Sequence, residues 1–221
     1  MNNIWFTSDS HWGHKNLCLG VSEWDDKEKS CRNFQTLEEM NELIVNNINK
    51  YVKADDILYH LGDWSFGGIE NIWEFRKQIN CKNIYLVPGN HDHHIKKNKL
   101  IECNTDWCYN HIKNFLDFSL PCPEKSSVPA QQLFNILPEL TKIIIDKQEI
   151  ILCHFPLDEW ENMDRGSIHL HGHCHGTKND SFMNTYCKRK DVGIDNPEFR
   201  PYSWEGIKEE MKERKIKKRY E

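Results

Sequence analysis

Five short apolar runs, each closing on side chains able to hold a metal ion, constrain this chain more than any other feature. Ile4-Trp5-Phe6-Thr7 stops at Ser8-Asp9-Ser10-His11, and Ile57-Leu58-Tyr59-His60-Leu61 stops at Gly62-Asp63. Asn83-Ile84-Tyr85-Leu86-Val87 stops at Pro88-Gly89-Asn90-His91-Asp92, Glu149-Ile150-Ile151-Leu152-Cys153 at His154, and Ile168-His169-Leu170-His171 at Gly172-His173-Cys174-His175. Runs of this length and composition read as buried strands. Open α/β sheets gather their chemistry at the carboxyl ends of such strands. Pro88 and Gly89 make the third run reverse, so the polar residues after it project from a strand end.

Helical spacing fills the gaps. Thr36-Leu37-Glu38-Glu39 fits a capping box, and Leu37, Met40, Ile44, Ile48 and Tyr51 continue at helical period, which predicts a helix over residues 37–51. A second amphipathic stretch covers 69–79 and a closing helix 204–217, with strands also expected at 142–145 and 191–195. Strand and helix alternate, which makes the chain α/β. Residues 21–33 are charged and aperiodic, a surface loop. The stretch from about 102 to 140 carries four prolines and breaks the alternation, so it reads as an insertion in a single domain. Cys103, Cys108 and Cys122 lie at loose spacing there and read as free thiols before a structural zinc site.

The 221 residues suit one core, and 8 Trp and 10 Phe supply aromatic mass although only 38% of the chain is hydrophobic. A formal charge of −5 argues against a surface that collects nucleic acid along its whole extent. The basic run Lys215-Ile216-Lys217-Lys218-Arg219 suits a helix C-terminus better than a nucleic-acid site. Nine cysteines, an odd number, and a start without a basic-then-apolar leader point to a reducing cytoplasmic setting. No apolar run is long enough to span a bilayer.

If the backbone is extended, Asp9 and His11 share a face, as do His173 and His175, with Cys174 turned the opposite way. His169 and His171 share that parity and read as satisfied core or supporting groups. His14 could touch an anionic substrate or bond its own loop. Asp9, His11, Asp63, Asn90, His154, His173 and His175 are too many donors for one ion. Oxygen and nitrogen donors without thiolate suit two adjacent cations of the Mn, Fe or Zn kind, with Mn favoured.

In this order the motifs Asp9-Ser10-His11, Gly62-Asp63, Gly89-Asn90-His91-Asp92, His154 and Gly172-His173-Cys174-His175 resemble the calcineurin-like metallophosphoesterase superfamily, in its compact bacterial and phage branch. The resemblance spans residues 4–176 and implies an αββα four-layer sandwich of two β-sheets flanked by helices. It implies one metal held by Asp9, His11 and His175, a second held by Asn90, His154 and His173, and Asp63 bridging them. It also implies that His91 faces the scissile phosphate, with Asp92 orienting its ring, while His14 and Asn90 are candidates for substrate contact. Two cations roughly 3.5–4 Å apart would lower the pKa of a shared water and arm it for in-line attack on phosphorus. The expected substrate is a phosphodiester of a nucleotide or nucleic acid, ahead of a phosphomonoester on a nucleotide, small metabolite or phosphoprotein. A non-catalytic scaffold would be expected to lack some of these donors.

Overall fold

The computed structural model describes residues 2–112 and 126–216. β1 (Ile4–Thr7) runs into an irregular stretch of short 3-10 turns, then α1 (Leu37–Tyr51), β2 (Ile57–His60), α2 (Glu70–Arg76), β3 (Asn83–Leu86) and the single turn α3 (His93–Lys96). β4 (Leu100–Cys103), α4 (Thr105–His111), β5 (Ser126–Pro129) and β6 (Asn135–Ile136) follow. The chain ends with β7 (Leu140–Ile145), β8 (Gln148–Cys153), β9 (Ile168–His171), α5 (Phe182–Thr185), β10 (Arg189–Asp191), β11 (Tyr202–Ser203) and α6 (Trp204–Lys212).

Two sheets carry the site. The first has the order β11-β1-β2-β3-β6, parallel except for β11, and the second the order β10-β9-β8-β7, parallel except for β7. Alternation along each strand decides which layer a residue joins. In the first sheet Trp5, Leu58, Ile84 and Leu86 face α1 and α2, while Phe6 and Tyr59 face the second sheet. Ile150, Leu152, Ile168 and Leu170 meet them from the other side, and Trp204, Ile207 and Met211 of α6 complete that core. The architecture is mixed α/β with helices against paired sheets. The outer face of the second sheet is covered by α5 and by the loop after β8, in which Trp160 packs on His169 at 5.3 Å between ring centroids.

Local chemistry explains the element ends. The Thr36 hydroxyl accepts the Glu39 N–H at 3.1 Å, but the Glu39 carboxylate accepts from Gln35 at 3.1 Å, one residue earlier than the expected capping box. α2 stops at Arg76, short of the expected residue 79. The buried Arg76 guanidinium turns back to donate to the carbonyls of Ile79 at 3.0 Å and Cys81 at 2.9 Å, which fixes the chain after the helix. Residues 191–195 do not form one strand. Val192 donates to His171 O at 2.8 Å in the second sheet, and Ile194 donates to Ser8 O at 2.9 Å beside the first. That segment therefore laces the sheets together directly behind Asp9.

The stretch from about 102 to 140 is only partly peripheral. β4 and β5 pair antiparallel as a separate two-stranded sheet, whereas β6 joins the edge of the main sheet in parallel with β3. Cys122 and the basic residues beyond Ile216 lie outside the described residues. Among the described residues no helix is long and apolar enough to cross a membrane.

Candidate metal centre and active site

Left-handed backbone, and not an extended face, brings the donors together. Asp9, His11, Asp63, His173 and His175 have φ of 54°, 44°, 56°, 70° and 47°. Such angles are uncommon outside glycine and gather at functional sites, where surrounding structure must hold them. The expectation that Asp9 with His11, and His173 with His175, share one face of an extended strand is therefore corrected. β1 ends at Thr7 and β9 at His171, and the donors stand on the turns beyond.

Cross-links between those turns set the geometry. Asp9 N–H donates to Gly62 O at 2.9 Å, and His11 N–H to Asp63 O at 3.0 Å. His173 N–H reaches both oxygens of Asp9, at 3.0 and 2.9 Å, and Ser8 Oγ donates to Asp9 Oδ2. Gly172 is required by this closeness. A Cβ there would lie 2.1 Å from Ser8 Oγ and 2.3 Å from Asp9 Oδ2. Gly62, at φ +94°, faces the same demand, since a Cβ would lie 2.4 Å from Gly89 N.

The seven donors form two adjoining groups. Ligand atoms of Asp9, His11 and His175 lie within 4.8 Å of one another, as do those of Asp63, His154 and His173. Asn90 Oδ1 is 2.8 Å from His154 Nε2 and 3.1 Å from His173 Nδ1, which adds it to the second group. Asp63 stands between the groups. Its Oδ2 is 3.4 Å from His11 Nε2 and 3.3 Å from His154 Nε2, while its Oδ1 accepts the His91 N–H at 2.8 Å.

The donor chemistry suits a pair of cations. His154 Nδ1 lies 2.7 Å from Leu61 O, an acceptor, so that nitrogen carries the proton of the neutral ring. The Nε2 lone pair then faces a carboxylate oxygen and an amide oxygen. His175 is arranged alike, with Nδ1 2.7 Å from Asp195 Oδ2 and Nε2 left for the Asp9 group. Lone pairs converging on lone pairs repel unless a positive charge lies among them. Burial pushes the Asp9 carboxyl up to about 7 and drives His11 well below its usual range, the cost of packing bare donors without a cation. The Asp63 charge and hydrogen bond overcome burial at His154 and raise it, the same demand for positive charge.

Three supporting groups were not legible beforehand. Arg32, 0% exposed, lies in the stretch expected to be a surface loop. It donates to both oxygens of Asp195, at 2.7 and 3.1 Å, and to the carbonyls of Ser10 at 2.8 Å and Asp9 at 2.5 Å. Asp195, held far below the usual carboxylate range against its burial by Arg32 and His175, in turn fixes the His175 ring. His60 Nε2 sits 2.8 Å from Ser10 Oγ beneath the same turn. No local pattern marks Arg32 as buried, because its partner is 163 residues away.

Two further candidates are buried. The Asp92 carboxylate accepts the N–H groups of Asp63 at 2.7 Å, Trp64 at 2.9 Å and Gly89 at 2.8 Å, which ties together the loops that carry Asp63 and Asn90. His14 is buried with its ring stacked 3.8 Å from that of Phe66, and burial pushes it down to about 4. Its ring also packs beside that of His11, at 5.5 Å between centroids. His91 is exposed, with its ring 5.3 Å from the ring of His11. His171, Cys174 and Asp191 gather in a separate buried group, where Asp191 already accepts from Gly193 at 2.8 Å and Gly176 at 3.2 Å. His169 is likewise committed, accepting Leu157 N–H at 3.0 Å.

Sheets that end on two adjoining clusters of oxygen and imidazole donors define a metal-dependent hydrolase architecture. The calcineurin-like phosphoesterase family matches residues 3–211, and the chain belongs to that family of metal-dependent phosphoester hydrolases. It is 34% identical over 107 residues to an uncharacterised protein of Methanocaldococcus jannaschii, a match covering 47% of this chain and 54% of the relative. The chain thus spans only about half the length of that relative. It is 25% identical over 205 residues to the Gene 66 protein of Mycobacterium phage L5, covering 88% and 87% of the two chains. A protein of unknown function from Aquifex aeolicus superposes with a TM-score of 0.57 at 20% identity, covering 95% of this chain and 99% of that one. That likeness speaks for the fold.

Proposed function

We propose that the protein hydrolyses a phosphodiester of a nucleotide or nucleic acid at a dinuclear centre. Asp9, His11 and His175 would hold one cation, Asn90, His154 and His173 the other, with Asp63 shared. The observation that carries the reading is the place of Asp63 Oδ2, 3.4 Å from one group's imidazole and 3.3 Å from the other's. Bound divalent cations of the Mn, Fe or Zn kind, Mn favoured, would supply Lewis acidity toward water and phosphoryl oxygen.

The chain's own groups do the rest. His91, exposed beside the donors, would give a proton to the departing oxygen. Asn90 has both a ligand and a substrate-facing role open to it, since its residue is exposed while its Oδ1 points at His154 and His173. Asp92 holds the loop that presents both. Arg32 is buried and spent on Asp195 and two carbonyls, so its charge does not reach a bound ester. A monoanionic diester needs less positive charge than a dianionic monoester, which favours the diester. A reducing cytoplasmic setting accords with the nine cysteines.

Turnover of bis-p-nitrophenyl phosphate and p-nitrophenyl phosphate with Mn²⁺ tests the reading. A higher kcat/KM on the diester is expected. A marked preference for the monoester would reverse the order, and no hydrolysis of either by protein loaded with two metals would remove the enzyme.

A further inference from the structure

Beside His91 lies a cavity of about 270 Å³ lined by Phe66, Gly67, Gly68, His91, His93 and His94, among others. Building on the phosphodiesterase reading above, we propose that this cavity receives the leaving group of the ester, and that the group is a nucleoside. The position follows from His91. Its ring lies 5.3 Å from that of His11 and 5.3 Å from that of Phe66, and the His11 and Phe66 rings are 6.3 Å apart, so the three form one cluster at the border of the donors and the cavity. A group that protonates the departing oxygen must stand beside the path of departure, and His91 both adjoins His11 and forms part of the cavity wall.

The walls suit a flat base. Phe66 is braced from behind by His14 at 3.8 Å, itself edge-on to Trp24 at 5.8 Å, so the phenyl ring is a fixed platform. Gly67, at φ +98°, has a conformation that other residues rarely adopt, and the Glu70 carboxylate packs against Gly68. Base-on-aromatic stacking contributes about 1–3 kcal/mol per base. The volume sits just under the usual range of roughly 300–1,000 Å³ for small-molecule sites, enough for one nucleoside and too little for two. The imidazoles of His93 and His94, with rings 4.0 Å apart, and the Ser65 hydroxyl give the cavity polar edges. A bare phenol would leave these unmatched, whereas a nucleobase and sugar have donors and acceptors to meet them.

In the step so described, a water oxygen bonds to phosphorus, the P–O5′ bond breaks, and the departing O5′ takes the His91 proton. The released pieces are a nucleoside and a phosphomonoester. The two ester bonds of thymidine 5′-(methyl phosphate) distinguish this outcome, because cleavage yields either thymidine and methyl phosphate or thymidine 5′-phosphate and methanol. With the Mn²⁺-loaded enzyme we expect thymidine and methyl phosphate to dominate by at least about fivefold, the lower end of what one stacked base supplies. Phe66→Ala should erase most of that bias, and Phe66→Leu should retain more of it.

Dominant methanol release, or a bias unchanged in Phe66→Ala, would overturn the leaving-group site while leaving a phosphodiesterase in place. If the methyl ester is not cleaved, competitive inhibition of bis-p-nitrophenyl phosphate turnover by thymidine, weakened in Phe66→Ala, still supports the site. Absence of that inhibition overturns it. Failure of bis-p-nitrophenyl phosphate hydrolysis itself would instead remove the reading on which the proposal rests.

Discussion

Single side chains divide here into those that hold charge and those that hold the holders. His91 lies outside both donor groups, so His91→Ala should lower turnover by about 10²–10⁴-fold while leaving metal content unchanged. Elemental analysis beside steady-state rates checks this, and lost metal would make His91 a ligand. Arg32 is the opposite kind. Removing its guanidinium strands the buried Asp195 carboxylate, so Arg32→Met should destabilise the protein by about 3–5 kcal/mol in urea unfolding. Asp195→Ala should weaken metal binding roughly 10–100-fold, because the His175 ring loses the acceptor that fixes its proton. The donors were legible from the sequence because each interrupts an apolar run. Arg32 was not, since a buried arginine in a charged stretch looks like any solvated one until its distant carboxylate is known.

At the level of elements, the five strands that precede the donors and α1 follow from periodicity, and their limits match closely because alternation and capping are local effects, whereas the strand expected at 191–195 does not form. The turns that carry chemistry do not. Five of the expected donors adopt left-handed backbone, a state that no side-chain pattern announces, so strand parity gave the wrong local geometry for Asp9 with His11 and for His173 with His175. Gly172 shows what the turn after β9 demands, with Ser8 Oγ and Asp9 Oδ2 both inside 2.5 Å of a would-be Cβ. Gly172→Ala should therefore push Asp9 aside and weaken metal binding by roughly 10–100-fold, as disturbed supporting contacts do. Titration of the metal-free protein with Mn²⁺ reads this, and unchanged affinity would mean that the turn yields without moving Asp9. The end of α2 at Arg76 was hidden for a related reason: a side chain that bonds the carbonyls of Ile79 and Cys81 leaves the apolar period intact past the last helical residue.

Across the whole molecule, two sheets meet over one core and a second core lies under α1 and α2. The pairing of β6 with β3 and the lacing of residues 192–194 between the sheets were not legible, because both join segments far apart in sequence. Buried neutral imidazoles give this architecture a pH dependence. Burial pushes His169 down to about 3 from an ordinary 6.5. Between those values the unfolded chain binds a proton that the folded chain refuses, so stability is present above about 6.5 and falls as pH drops toward 3. The unfolding midpoint in urea should decline steadily from pH 7 to pH 4. His169→Phe should flatten that decline, though with lower stability at pH 7 because Leu157 N–H loses its acceptor. The most direct test of the shared Asp63 is a crystal structure of the Mn²⁺-loaded protein phased for anomalous scattering. Two peaks are expected, one among Asp9, His11 and His175 and one among Asn90, His154 and His173, both in contact with Asp63. One peak alone, or two with Asp63 touching neither or only one, would contradict the dinuclear centre.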